Sequence, residues 1–61
     1  MIPSDVNMLL SFINTKLRDE YSSLEELCEE LDLVQEELVA RLAGIGYIYE
    51  QKNNRFVPIL P

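Results

Sequence analysis

The chain contains a single cysteine, Cys28, and no histidine among its 61 residues. It can therefore form neither an intrachain disulfide nor a structural zinc site, which needs four cysteine or histidine ligands. A domain of this size buries only about 60% of its unfolded surface, so such cross-links are its usual support. The chain must instead depend on a well-packed core or on a partner chain. We expect one domain over residues 1–61.

Apolar residues at helical spacing predict a first helix over about residues 5–18, with Ser4 or Asp5 as its N-cap. Met8 and Phe12 lie beside the main apolar stripe and widen the apolar sector to about 200°. A helix that rests on one surface needs about half of that sector. This helix is therefore either central in the domain or in contact with a second chain. The main stripe contains Val6, Leu9, Leu10, Ile13 and Leu17.

A second helix is predicted over about residues 23–31, followed by a tight turn. Ser23 and Glu26 match a capping box at its start, and Ser22 with Glu25 is the alternative register. The opposite side of this helix is acidic and solvated. Its narrow apolar stripe contains Leu24, Leu27, Cys28 and Leu31.

A third helix is predicted over about residues 35–45. Its N-cap would be Val34, which has no side-chain acceptor for the free N–H groups of the first turn. Gly46 suits the left-handed position that follows a helix. The buried stripe is expected to contain Leu38, Val39, Leu42 and Ile45.

Short β-prone runs on both sides of residues 50–54 predict a hairpin over about residues 47–57. Asn53 and Asn54 tolerate a positive φ in its turn, and Pro58, which has no N–H, is expected to end the pairing. The predicted fold is mainly α: a three-helix helix-turn-helix core with a short C-terminal two-stranded β-hairpin, in the order of a winged helix.

The charge of the chain opposes DNA binding, which is a common function of that fold. Eleven acidic residues against five basic ones give a net charge of −6. The third helix, which would read DNA bases, opens with Gln35, Glu36 and Glu37. Lys52 and Arg55 on the hairpin are too few to neutralise a phosphate backbone. We therefore expect no direct binding of nucleic acid.

No catalytic or metal-binding set is predicted either. Cys28 lies on an apolar stripe and would lack a histidine base, so we expect a core residue rather than a nucleophile. Glu25, Glu29 and Asp32 have a spacing that could form a metal cluster, but it places them on a solvated helix face. We expect no enzyme activity, no cofactor and no metal.

The expected location is the cytoplasm. No run approaches the roughly 20 apolar residues that cross a bilayer, and no segment has the pattern of a signal peptide. A lone thiol without a disulfide pattern fits a reducing compartment.

Several short motifs resemble a small bacterial family of domains of unknown function, numbered 4250. The resemblance covers nearly the whole chain and implies no activity, ligand or site. At the position of Val34 the family more often has a capping serine, so this chain departs from it there. The motifs are Pro3-Ser4-Asp5, Met8-Leu9-Leu10-Ser11, Asn14-Thr15-Lys16-Leu17-Arg18-Asp19, Tyr21-Ser22-Ser23-Leu24, Ile45-Gly46-Tyr47 and Asn54-Arg55-Phe56.

Two functional hypotheses follow from the sequence. The first is a small non-catalytic protein-interaction module that binds itself or another protein, with a homodimer formed through Met8, Phe12, Ile59 and Leu60. The second is a nucleic-acid-binding or transcription-associated helix-turn-helix module, which the net charge disfavours. The hairpin surface is a further candidate for binding; tyrosines there either close the core or contact a protein. It contains Tyr47, Tyr49, Lys52 and Arg55.

Overall fold

A computed structural model describes residues 2–60 as three helices followed by a two-stranded antiparallel hairpin, which confirms the predicted fold. Met1 and Pro61, the two ends of the predicted domain, lie outside the described residues. The elements are α1 (Val6–Asp19), α2 (Leu24–Glu30), α3 (Gln35–Ala43), β1 (Tyr47–Glu50) and β2 (Arg55–Pro58).

Side-chain caps explain where α1 and α2 begin. The carboxylate of Asp5 accepts hydrogen bonds from two N–H groups in the first turn of α1, at 2.9 and 3.0 Å. Ser23 Oγ accepts from the N–H of Glu26 at 3.1 Å, as the capping box predicts. The Glu26 carboxylate, however, accepts from the N–H of Ser22 at 2.9 Å rather than from that of Ser23. The capping box therefore closes one residue earlier than its usual form.

The tight turn between α2 and α3 satisfies the last carbonyl groups of α2. Asp32 adopts a left-handed conformation with φ of 57°, and the N–H of Leu33 donates to the carbonyl of Cys28 at 2.8 Å. This is the bonding pattern of a Schellman motif, which ends a helix within two residues. The short connection holds α2 and α3 in contact as a helix-turn-helix pair.

Val34 is the N-cap of α3 and makes no side-chain hydrogen bond to the helix, as expected from its sequence. Replacement by serine should raise the free energy of unfolding by about 1 kcal/mol, because the hydroxyl would accept from an N–H of the first turn. Val34 is 54% exposed, so little apolar burial would be lost. Urea denaturation of Val34→Ser, with Val34→Ala as the control without a hydroxyl, measures the gain. Equal stabilities of the two variants would contradict it.

The predicted end of α3 at residue 45 is wrong by two residues. The helix ends at Ala43, and Gly44 is its C-cap. Two hydrogen bonds that span three residues instead of four follow: the N–H of Ile45 donates to the carbonyl of Leu42, and the N–H of Gly46 donates to that of Ala43. The chain therefore leaves the helix through a turn. Gly46 has a φ of +83°, which confirms the left-handed conformation but places it two residues beyond the cap.

The hairpin pairs Tyr47 with Pro58 and Glu50 with Arg55 at its two ends. Pro58 therefore does not end the pairing as predicted, and the N–H of Ile59 continues it by donating to the carbonyl of Gly46 at 2.7 Å. The physical reason is that residue 58 lies at a position whose N–H points away from β1, where proline loses nothing.

Only one of the two asparagines in the hairpin turn uses the left-handed conformation. Asn54 has a φ of 53°, whereas Asn53 is not among the positive-φ residues of the described chain. The turn therefore depends on Asn54 alone for this conformation.

The core lies where α1 meets α2, α3 and β2, which makes α1 the central helix. The stripe of α1 faces this core as predicted, although Val6 and Leu10 are only partly buried. Of the two residues beside the stripe, Phe12 is partly buried and Met8 is exposed. No helix within residues 2–60 has the length and apolar character to span a membrane. The buried side chains are Leu9, Ile13, Leu17, Leu24, Leu27, Cys28, Leu38, Leu42 and Phe56.

Candidate interaction groove

A groove with a volume of about 870 Å³ runs between α1 and the hairpin, and we call it the α1–hairpin groove. Its lining combines apolar side chains, hydroxyl and amide groups, and two guanidinium groups, and contains no carboxylate. Mixed linings of this kind offer both apolar contact and oriented hydrogen bonds. The residues are Leu10, Ser11, Asn14, Thr15, Leu17, Arg18, Tyr47, Asn53, Asn54 and Arg55.

Asn14 fixes one side of the groove by pairing with the backbone of Phe56. Its Nδ2 donates to the Phe56 carbonyl at 3.0 Å, and its Oδ1 accepts from the Phe56 N–H at 2.8 Å. The amide thus bonds to β2 as a neighbouring strand would. Phe56 itself is buried in the core, so this pair sets the distance between α1 and β2.

Asn54 fixes the other end of the groove. Its Nδ2 donates to the carbonyls of Leu17 at 3.1 Å and Tyr21 at 2.9 Å, at the end of α1. Its Oδ1 accepts from the hydroxyl of Tyr49 at 2.5 Å. The hairpin turn is therefore tied both to α1 and to β1.

The sequence marks neither asparagine as a site residue. Asn14 lies outside the predicted apolar stripe of α1, and Asn54 is predicted only as a turn residue. The amide of Asn14 in fact meets a residue 42 positions away in the chain. A polar side chain on a helix gives no sequence signal that separates such a contact from solvent exposure.

The two guanidinium groups of the groove differ in their partners. Arg18 donates to both oxygens of Asp19, at 2.8 and 2.9 Å, and this hydrogen bonding raises the pKa of Arg18 and lowers that of Asp19. Arg55 Nε lies 3.9 Å from a Glu50 oxygen, which is too long for a hydrogen bond. Arg55 therefore keeps its donors for another acceptor, because this pair uses none of them.

The structure separates the predicted hairpin surface. Tyr47 and Arg55 line the α1–hairpin groove, and Lys52 is exposed in the turn. Tyr49 is partly buried, with its ring centroid 5.6 Å from that of Phe56. Tyr47 is partly buried too, and both tyrosines pack against the core, whereas Lys52 and Arg55 are exposed.

The four residues predicted to form an apolar interface also lie in different surroundings. Met8, Ile59 and Leu60 are 62%, 48% and 83% exposed, whereas Phe12 is partly buried against the core. Asn14 lies six positions after Met8, so their side chains leave α1 about 120° apart. Because Asn14 faces β2, Met8 does not face the hairpin. An interface through these residues stays a prediction.

Phe12 and Met8 should respond differently to a charge. Phe12→Glu is expected to lower the free energy of unfolding by about 2 kcal/mol, because it places a carboxylate among core contacts. Met8→Glu is expected to change it by no more than about 0.5 kcal/mol, since Met8 is exposed. Thermal unfolding of both variants, followed by circular dichroism, measures the difference. Similar losses in both would contradict the partial burial of Phe12.

The remaining candidate for chemistry from the sequence, Cys28, is buried in the core. Burial raises the pKa of its thiol, so the thiol is protonated at neutral pH. Glu25, Glu29 and Asp32 are exposed, and within residues 2–60 no three histidine, cysteine, aspartate or glutamate residues are placed to hold a metal ion.

Comparison with protein families gives a match over most of the chain. The family model described as "Domain of unknown function (DUF4250)" matches residues 3–56, which covers the three helices, β1 and the first half of β2. No curated protein and no solved structure matches the chain.

Proposed function

The chain belongs to the DUF4250 family, whose description names no activity, and we propose from its structure that the protein is a small non-catalytic protein-interaction domain. The observation that carries this proposal is the α1–hairpin groove. Its surface would be the one that a partner protein contacts.

Three features of the groove support protein binding. The hydrogen bonds of Asn14 and Asn54 hold its sides in place, so little conformational entropy would be lost on binding. Tyr47 is a side chain that protein interfaces favour, and Arg55 has free donors. The groove is also open to an extended or helical segment along about nine residues of α1, roughly 13 Å.

A bulky substitution in the groove tests the proposal. The wild-type protein and Ser11→Trp would be used as baits in extract of the source organism, and captured proteins would be quantified by mass spectrometry. Gln51→Trp is the matched control, because Gln51 is exposed in the hairpin turn and does not line the groove. We expect a protein that is captured by the wild type and by Gln51→Trp but lost with Ser11→Trp. Identical capture by all three would contradict the proposal.

The competing hypothesis of nucleic-acid binding has one favourable observation, since Arg18 and Arg55 share the groove and Lys52 is exposed nearby. The first turn of α3 opposes it, because Glu36 and Glu37 are exposed where a recognition helix meets bases. We expect no change in the fluorescence anisotropy of mixed-sequence DNA at low salt. Binding that weakens steeply as salt rises would contradict that expectation and support this class instead.

A further inference from the structure

The charges of the chain are unevenly distributed along its sequence. Seven of the eleven acidic residues lie within residues 25–37, which contain no basic residue. The rest of the chain has five basic and four acidic residues. The net charge of −6 therefore comes from one segment, and the remainder carries a small positive excess.

The acidic segment extends over α2, the turn and the start of α3, and we call its exposed carboxylates the acidic surface. All seven of its carboxylate side chains are exposed, and none takes part in the three ion pairs found among residues 2–60. They are Glu25, Glu26, Glu29, Glu30, Asp32, Glu36 and Glu37.

The α1–hairpin groove has the complementary character. It contains two guanidinium groups and no carboxylate, and Ser11 and Thr15 add hydroxyl donors. The 3.9 Å contact between Arg55 and Glu50 is too long to use a hydrogen-bond donor of Arg55. Arg55 can therefore form a bidentate pair with an incoming carboxylate. Arg18 has further N–H donors beyond the two that bind Asp19.

We infer that the groove binds the acidic surface of a second copy of the same chain. This inference rests on the proposed function of the groove and names its partner. The charge complementarity that recognition requires is present in the chain itself: carboxylates that take part in none of the three ion pairs on one surface and guanidinium donors on the other. The contact is heterologous, because each copy offers a different surface to the next.

A charge swap tests the inference directly. The first variant, Arg18→Glu with Arg55→Glu, makes the groove acidic. The second, Glu29→Lys with Glu36→Lys, places basic groups on the acidic surface. Lys52→Glu is the matched control, since Lys52 is exposed on the same hairpin but does not line the groove. Circular dichroism confirms that each variant is folded.

Light scattering over a concentration series provides the measurement. We expect the wild type and Lys52→Glu to rise above the monomer mass of 7.1 kDa with increasing concentration. Each double variant should require at least about tenfold higher concentration for the same rise. An equimolar mixture of the two variants should associate again, because the unchanged acidic surface of the first variant can bind the unchanged groove of the second.

A wild type that stays monomeric, association that survives in both double variants, or a mixture that does not associate would each overturn the inference. These results are separate from a failure of the proposed function. A monomeric wild type whose Ser11→Trp variant still loses a captured protein would leave the groove as an interaction site for a different partner.

Discussion

Replacing Asn54 by alanine is expected to lower the free energy of unfolding by about 3 kcal/mol. The change removes donors to the carbonyls of Leu17 and Tyr21 and the acceptor for the Tyr49 hydroxyl. Each lost hydrogen bond costs about 1 kcal/mol when its partner stays partly buried. Alanine is also disfavoured at the φ of 53° that residue 54 adopts. Urea denaturation would measure the loss.

Two further variants separate the causes of this loss. Asn54→Gly retains the left-handed conformation without the amide, so it should recover only the backbone part of the loss. Asn53→Ala is the neighbouring control, because its one side-chain hydrogen bond, to Glu50, is at the surface. An Asn54→Gly variant as stable as the wild type would show that the loss in Asn54→Ala comes from the backbone alone and that the three hydrogen bonds of Asn54 do not stabilise the domain.

The second large effect is expected for Asn14→Ala, with a loss of about 2 kcal/mol. The variant leaves the N–H and the carbonyl of Phe56 without the partner that now binds both. Asn7→Ala is the matched control, since Asn7 is an exposed residue of α1. Hydrogen exchange adds a local measurement, because the Phe56 amide should lose protection beyond the change in global stability.

A stable Asn14→Ala variant with a protected Phe56 amide would contradict this account of how α1 holds β2. In a domain of 61 residues both losses are large relative to the few kcal/mol that such a core supplies. The two asparagines therefore connect the shape of the groove to the stability of the whole protein.

The helices and strands were predictable because their signals are local. The carboxylate of Asp5 and the hydroxyl of Ser23 lie next to the helices they cap, and a period of 3.6 residues marks the buried stripes. Gly44 gave no such signal, since either of two nearby glycines could end α3. The choice depends on how the turn meets β1, which is a tertiary property.

The groove was less predictable than the fold. Arg55 and Tyr47 were identified as hairpin surface residues, but nothing in the sequence placed them beside Arg18. The asparagines that shape the groove act across 33 to 42 residues of chain. Such contacts leave no periodic pattern, so their sequence signature is the same as that of solvated polar residues.

The bonding of β2 has a consequence for the behaviour of the protein at high concentration. Phe56 and Pro58 are the residues of β2 whose backbone points away from β1. The N–H of Phe56 is occupied by Asn14, and Pro58 has none to offer. A strand edge without free donors is a poor template for another chain, so pairing that leads to aggregation is disfavoured on this side of the sheet. By occupying the N–H of Phe56, Asn14 disfavours the pairing of β2 with a strand of another copy, which is the contact where uncontrolled sheet growth would begin.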